Sequence, residues 1–183
     1  LRRFPLPLRI LPMSEAEAAA VHAARIAHFA SMLHYESEAN LLVLRSLDDI
    51  AAPRKEDPAF GRALGIFAHM QIARRVWLGR LENNMHKPDE WFPRWNTDRL
   101  RFEARDLNRL WESYLHHMSV GGLDVELQYS SSDGRAFNSK VGDILTHVFN
   151  HSTYHRGQIA MLVTECGGQR AVTDFIAITR QSQ

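Results

Sequence analysis

The order of apolar and polar positions along the chain predicts four long amphipathic helices. In four stretches the apolar residues recur three or four positions apart, the spacing that places them on one face of a helix. The expected helices cover residues 14–52, with room for an interruption, 58–84, 97–120 and 139–166. Four helices that each carry one apolar face are typical of a four-helix bundle.

Capping signals mark several ends of these helices. Ser14 begins a capping-box sequence, SEAE, at the start of the first helix. Asp57 is an N-cap residue, and Pro58 after it suits the first position of the second helix. We expect Asn138 or Ser139 to cap the fourth helix, because both are good N-cap residues.

A β-hairpin is predicted immediately before the fourth helix. The sequence LDVELQYS alternates with a period of two, and the turn sequence SSDG follows it. The hairpin is expected near residues 124–138. The fold class is therefore all-α, a four-helix bundle with one short hairpin. Residues 14–183 form a single domain in this prediction, and the proline-rich residues 1–13 form an extended N-terminal arm.

Composition narrows the range of functions. The net charge is +1, so no bulk positive charge favours nucleic acid. One cysteine, Cys166, allows neither an intrachain disulfide nor a cysteine-rich zinc site, which suits the reducing cytoplasm. No stretch approaches 18 uncharged apolar residues, so we expect no membrane span.

Three histidines form a stripe on the fourth helix. His147, His151 and His155 are spaced four residues apart, so they lie on one helix face, and the apolar residues beside them indicate that this face points inward. Two imidazoles one turn apart can bind one metal ion. Spacing alone does not separate the pair His147 and His151 from the pair His151 and His155. The stripe also fits surface histidines, or core histidines held by hydrogen bonds.

The other histidines carry less information. His69 is isolated on the second helix and matters for a metal site only if it faces the stripe. Five more histidines have spacings that scatter them around helices or point them apart, and we expect them to be solvated: His22, His28, His34, His116 and His117.

Two further features of the sequence carry structural expectations. Residues 85–96, MHKPDEWFPRWN, form a loop rich in tryptophan and proline that is expected to pack as a lid over the core or a pocket. Arg156 directly follows the third histidine of the stripe, and we expect it to make a structural ion pair.

The sequence HVFNHSTYHRGQI, from His147 to Ile159, resembles the C-terminal signature of the DinB family of DinB/YfiT-like metalloenzymes. The resemblance extends from about Met32 to Ile178, and it includes the neighbourhoods of Tyr35 and His69 and the turn of the hairpin. The chain before Ser31 has no clear counterpart in the family core.

The resemblance implies a metal held by one histidine of the second helix and two of the last. Carried over by position, these ligands are His69, His151 and His155, and His147 lies beside them as a residue that lines the cleft or orients a ligand. Three neutral imidazoles suit zinc, nickel or iron, and they leave coordination positions open for water or substrate.

The resemblance also implies a function. The family includes enzymes that transfer low-molecular-weight thiols, such as bacillithiol or mycothiol, to small electrophilic substrates, so a metal-dependent thiol S-transferase is the first hypothesis. A metal-dependent hydrolase is an alternative, and so is a non-catalytic protein of a stress response that binds a metal or a small ligand. Small molecules are the expected partners, with neither nucleic acid nor membrane. A homodimer is expected because proteins of this family often pair.

Overall fold

The computed structural model describes residues 13–84, 87–131 and 133–180. The predicted N-terminal arm lies outside these residues apart from Met13. Within the described part of the chain the elements in order are α1 (Glu15–Asp48), α2 (Pro58–Leu81), α3 (Thr97–His116), β1 (Glu126–Ser130), β2 (Ala136–Lys140), α4 (Val141–Glu165) and α5 (Phe175–Thr179). The predicted all-α bundle with a hairpin before its last long helix is confirmed.

The predicted caps of the first two helices are present. The Ser14 side chain and the Glu17 side chain each accept from the other residue's backbone N–H, which completes the capping box. The Asp57 carboxylate accepts from the backbone N–H of Ala59 at 2.9 Å. These bonds satisfy amide groups that have no partner within the helix, and so they fix where α1 and α2 begin.

Some predicted boundaries are wrong by a few residues. α1 is continuous but ends at Asp48, and α3 ends at His116. Neither Asn138 nor Ser139 caps α4, because both belong to β2 and pair with β1 in the antiparallel hairpin. Lys140 is the N-cap residue instead and offers no side-chain cap. The strand therefore runs directly into α4.

The bundle places α1 diagonally across from α2, and α3 diagonally across from α4. α1 packs mainly against α3 and α4, and α2 packs mainly against the same two helices. α4, which carries the histidine stripe, consequently lies between α1 and α2. No described helix has the length and apolar character needed to cross a membrane.

The core has two apolar clusters. One contains Leu44, Phe67 and Ile159, and the other contains Leu33, Trp111 and Leu145, all of them buried. The residues between these clusters on all four long helices are polar and buried: Glu36, Asn40, Gln71, Arg74, Asn108, Ser152 and Arg156. We call these seven residues the polar layer.

Glu36 is the centre of the polar layer. Arg156 donates from Nη1 to its Oε2 at 2.6 Å, and Arg74 Nη1 lies 3.9 Å from its Oε1. Arg74 also donates to Asn108 on α3 at 2.6 Å, so the layer joins all four helices. Burial alone would raise the pKa of Glu36, but the guanidinium groups of Arg156 and Arg74 outweigh it and hold that pKa below its ordinary value. The expected ion pair of Arg156 is present.

Replacing Glu36 by Gln should destabilise the fold strongly, because it leaves two buried guanidinium groups without a counter-charge. Removing one partner of a buried pair typically costs about 3–5 kcal/mol in the free energy of unfolding, which urea denaturation measures. Glu38→Gln, an exposed change on the same helix, is the matched control and should stay within about 0.5 kcal/mol of the parent. Similar losses for the two variants would contradict a structural role for the Glu36 charge.

Candidate metal centre

Three histidines converge between α2 and α4. His69 comes from α2, and His151 and His155 come from successive turns of α4. One ring nitrogen of each lies within 4.8 Å of one from each of the other two. The Nε2 atoms of His151 and His155 are 3.1 Å apart. His69 of α2 therefore faces His151 and His155 of the stripe on α4. This is the condition under which His69 can share a metal site with the stripe.

Two of these imidazoles are oriented by bonds from their far sides. The Nδ1 of His155 lies 2.7 Å from Oε1 of Gln158, and the Nδ1 of His69 lies 3.2 Å from the carbonyl oxygen of Trp91. An oxygen acceptor at this position requires the hydrogen to be on Nδ1, which leaves Nε2 of each ring with a free lone pair. Partners of this kind are common behind metal-binding histidines, so the donor set fits a divalent metal.

The electrostatics of the cluster favour neutral imidazoles. Burial, together with the nearby rings of His155 and His69, lowers the pKa of His151 from 6.5 to about 4. Burial and His155 likewise lower the pKa of His69. Both side chains are therefore in the unprotonated form, which binds metal, at neutral pH.

The loop before α3, which its aromatic sequence predicts to pack as a lid over the core or a pocket, covers one side of the cluster. The Phe92 ring is stacked on His69 with centroids 4.2 Å apart and planes within 8°, and Trp91 lies beside the same imidazole. Gly65 permits this approach, because a Cβ there would come within 3.3 Å of the Phe92 carbonyl oxygen. Phe92 remains half exposed, so this cover does not close the centre completely.

His147 lies next to the cluster but is not part of it. Its ring centroid is 5.5 Å from that of His151 and 5.5 Å from that of Trp77. Burial lowers its pKa too, so it is a neutral imidazole beside the three. The three histidines whose ring nitrogens lie together, His69, His151 and His155, are the three ligands that the family resemblance implies.

Sequence reasoning missed the groups that orient the ligands. Gln158 lies three residues after His155, so helix spacing could have identified it. The Trp91 carbonyl belongs to the backbone and has no signature in the sequence. Of the histidines expected to be solvated, His22 differs, because it is half-buried and its Nε2 lies 3.3 Å from the carbonyl oxygen of Met118.

The fold and this cluster define a class of protein, a four-helix bundle with a centre of three histidines suited to a divalent metal. The sequence model of the DinB family matches residues 16–182, and the chain belongs to that family. It is similar to Protein DinB of Bacillus subtilis (strain 168), with 36% identity over 53 residues. That alignment covers 29% of this chain and 31% of the relative. No solved structure matches the chain significantly.

His151→Ala should reduce zinc affinity far more than His147→Ala. The first variant loses one of the three ring nitrogens that lie together, whereas the second loses only the His147 ring beside them. We expect a loss for His151→Ala beyond the roughly 10–100-fold that removal of an outer partner costs, and about tenfold or less for His147→Ala. Competitive zinc titration of untagged protein at pH 7.5 measures both. Equal losses of zinc affinity in the two variants would contradict a metal site formed by His69, His151 and His155.

The metal-free protein should lose stability as the pH falls from about 6.5 to about 4. His151 stays neutral in the folded state over this range, whereas it binds a proton in the unfolded chain, so acid favours unfolding. Urea unfolding with a chelator at pH 7 and pH 5 should show this loss, and His151→Gln should reduce it. The exposed His34→Gln variant should follow the parent. If the stability of the parent and of the His151→Gln variant depended on pH in the same way, the neutral, half-buried state of His151 would be contradicted.

Proposed function

We propose that this protein is a metal-dependent S-transferase that joins a low-molecular-weight thiol to a small electrophile. His69, His151 and His155 are the proposed ligands, and the metal is zinc, nickel or iron. The observation that carries the proposal is a cluster of three imidazoles in the described chain with no carboxylate among them, in which the pKa values of His69 and His151 are lowered.

A bound metal of this kind lowers the pKa of a thiol at an open coordination position. The chain's own residues prepare the place for the reaction. Gln158 and the Trp91 carbonyl fix which nitrogen of His155 and of His69 faces inward. Phe92 and Trp91 shield the His69 ring from water on one side. In the transfer itself, the sulfur forms a bond to the electrophilic carbon, the leaving group departs with its electron pair, and the thiol proton passes to solvent.

The position of Glu36 supports a thiol nucleophile over hydrolysis. Metal-dependent hydrolysis commonly uses a carboxylate to take the proton of the attacking water. Glu36 is the carboxylate whose charge acts on His151, but both of its oxygens are held by the guanidinium and amide groups of Arg156, Arg74 and Asn40. A carboxylate paired in this way is a poor proton acceptor.

The proposal predicts activity that needs both a metal and a thiol. Protein loaded with zinc, nickel or iron is mixed with 1-chloro-2,4-dinitrobenzene and one thiol at a time, and the thioether is followed by absorbance. We expect an increase in rate that His155→Ala reduces by at least about 100-fold, because loss of a metal ligand removes the activating charge. His34→Ala, at an exposed position, should match the parent.

Two outcomes would contradict the proposal. Hydrolysis of 4-nitrophenyl acetate that requires the metal but no thiol would make the protein a hydrolase. Tight metal binding without acceleration of any tested thiol transfer or ester hydrolysis would favour a non-catalytic metal-binding role.

A further inference from the structure

A row of aromatic rings leads away from the metal centre along the boundary between α2 and α4. It runs from His151 to His147 on α4 and then to Trp77 on α2, with 5.5 Å between successive ring centroids. His147 is exposed, and His151 and Trp77 are half-buried, so solvent reaches each of the three side chains. Tyr129 of β1 packs against Trp77, with centroids 4.9 Å apart. The row is therefore a partly exposed surface that joins the metal centre to the hairpin.

The guanidinium group of Arg80 lies at the hairpin end of this row. Its carbon Cζ is 4.5 Å from the centre of the Trp77 ring and 5.1 Å from that of the Tyr129 ring. Its Nη2 donates to the carbonyl oxygen of Ser130 at 2.8 Å. Aromatic rings attract a guanidinium group through its charge and its flat face, so they leave its N–H donors available for other partners. The group is thus held in position without using all of its donors.

One unused donor of Arg80 is accessible. Within the described part of the chain, neither Nε nor Nη1 has a hydrogen-bond partner. Nε is enclosed by protein, but Nη1 is not among the enclosed polar atoms, and the side chain as a whole is half-buried. Nη1 is therefore the donor that a ligand lying on the row can reach.

The charge of Arg80 is not balanced by a carboxylate. Across residues 13–84, 87–131 and 133–180, no acidic group lies within ion-pair distance of it. Glu82 follows two residues later, but it lies near α3, where burial and then its charge raise the pKa of Tyr114. Burial lowers the pKa of Arg80 below its ordinary value. A charge that is partly withdrawn from water and lacks a counter-charge is stabilised when an anion approaches.

We propose that Arg80 binds a carboxylate of the thiol substrate, at the end of that molecule away from its sulfur. This inference rests on the proposed transferase function and specifies the class of its nucleophile, a thiol of about the size of a tripeptide that carries a carboxylate. The body of the thiol lies over His147 and Trp77, and its carboxylate accepts from Nη1 of Arg80. A tripeptide extends about 10 Å, which is comparable with the length of the row. Arg80 is then a residue that determines specificity and takes no part in the bond-forming step.

Two matched thiols test the proposal in the metal-loaded protein, with 1-chloro-2,4-dinitrobenzene as the electrophile. Glutathione carries two carboxylates, and its diethyl ester has the same thiol and backbone without them. We expect a KM roughly tenfold higher for the ester with a similar kcat, because the ester cannot form the charge-assisted hydrogen bond. Arg80→Gln should raise the KM of glutathione by a similar factor and leave that of the ester unchanged.

This comparison separates recognition from damage to the fold. A distorted Arg80→Gln variant would affect both thiols alike, whereas loss of a carboxylate contact affects glutathione alone. Equal KM values of the two thiols in the parent, or equal effects of Arg80→Gln on both, would overturn the proposal.

Binding of S-methylglutathione to the metal-free full chain tests Arg80 independently of the transferase function. The blocked sulfur cannot react, so calorimetry measures recognition alone. We expect roughly tenfold weaker binding to Arg80→Gln than to the parent. Arg135→Gln is the matched control and should bind like the parent, because the Arg135 guanidinium also lies over a ring, that of Phe137, but is already paired with Asp133 at 2.7 Å.

The two measurements fail in different ways. Loss of binding in Arg80→Gln together with no thiol transfer by the parent would contradict the transferase function and support the carboxylate site at Arg80. Equal binding of S-methylglutathione to the parent and to Arg80→Gln would overturn the role of Arg80, even if the parent transferred thiols.

Discussion

The ionic contact of Glu36 with Arg156 and Arg74 is the constraint on which the rest of the bundle depends. Its members come from α1, α2 and α4, and Arg74 extends it to α3 through Asn108. Buried charges are costly unless their partners are correctly placed, so this contact permits few alternative alignments of the helices. An apolar core alone would tolerate more variation, because hydrophobic contacts are not directional.

The same contact sets the rotation of α4. Arg156 immediately follows His155, and the two side chains leave the helix about 100° apart. With Arg156 held by Glu36, His155 is directed toward α2, where His69 lies. Gln158 and the Trp91 carbonyl then fix the orientation of the individual rings. The metal centre is therefore built on a part of the bundle that is fixed by charge as well as by packing.

Much of this architecture could be predicted from the sequence because it depends on local rules. Helix periodicity identified the four long helices, capping residues located the starts of α1 and α2, and the four-residue spacing identified the stripe on α4. The boundary between β2 and α4 was missed, because Asn138 and Ser139 have cap-forming side chains but are used in strand pairing. The partnership of His69 with His155 joins residues on separate helices, so spacing could not reveal it, and the family resemblance supplied it. The role of Glu36 was missed for the same reason, since its partners Arg74 and Arg156 lie far away in sequence.

The placement of the three histidines on two different helices has a thermodynamic consequence. An ion that binds all three would join α2 to α4, and the unfolded chain cannot offer this arrangement. Such an ion acts as a ligand of the folded state, so the free energy of unfolding would rise by RT ln(1 + [L]/Kd), where [L] is the free metal concentration, and the melting temperature would rise with it. The measured stability of this protein is then a property of its solution as well as of its sequence, and values compare only at the same free metal concentration.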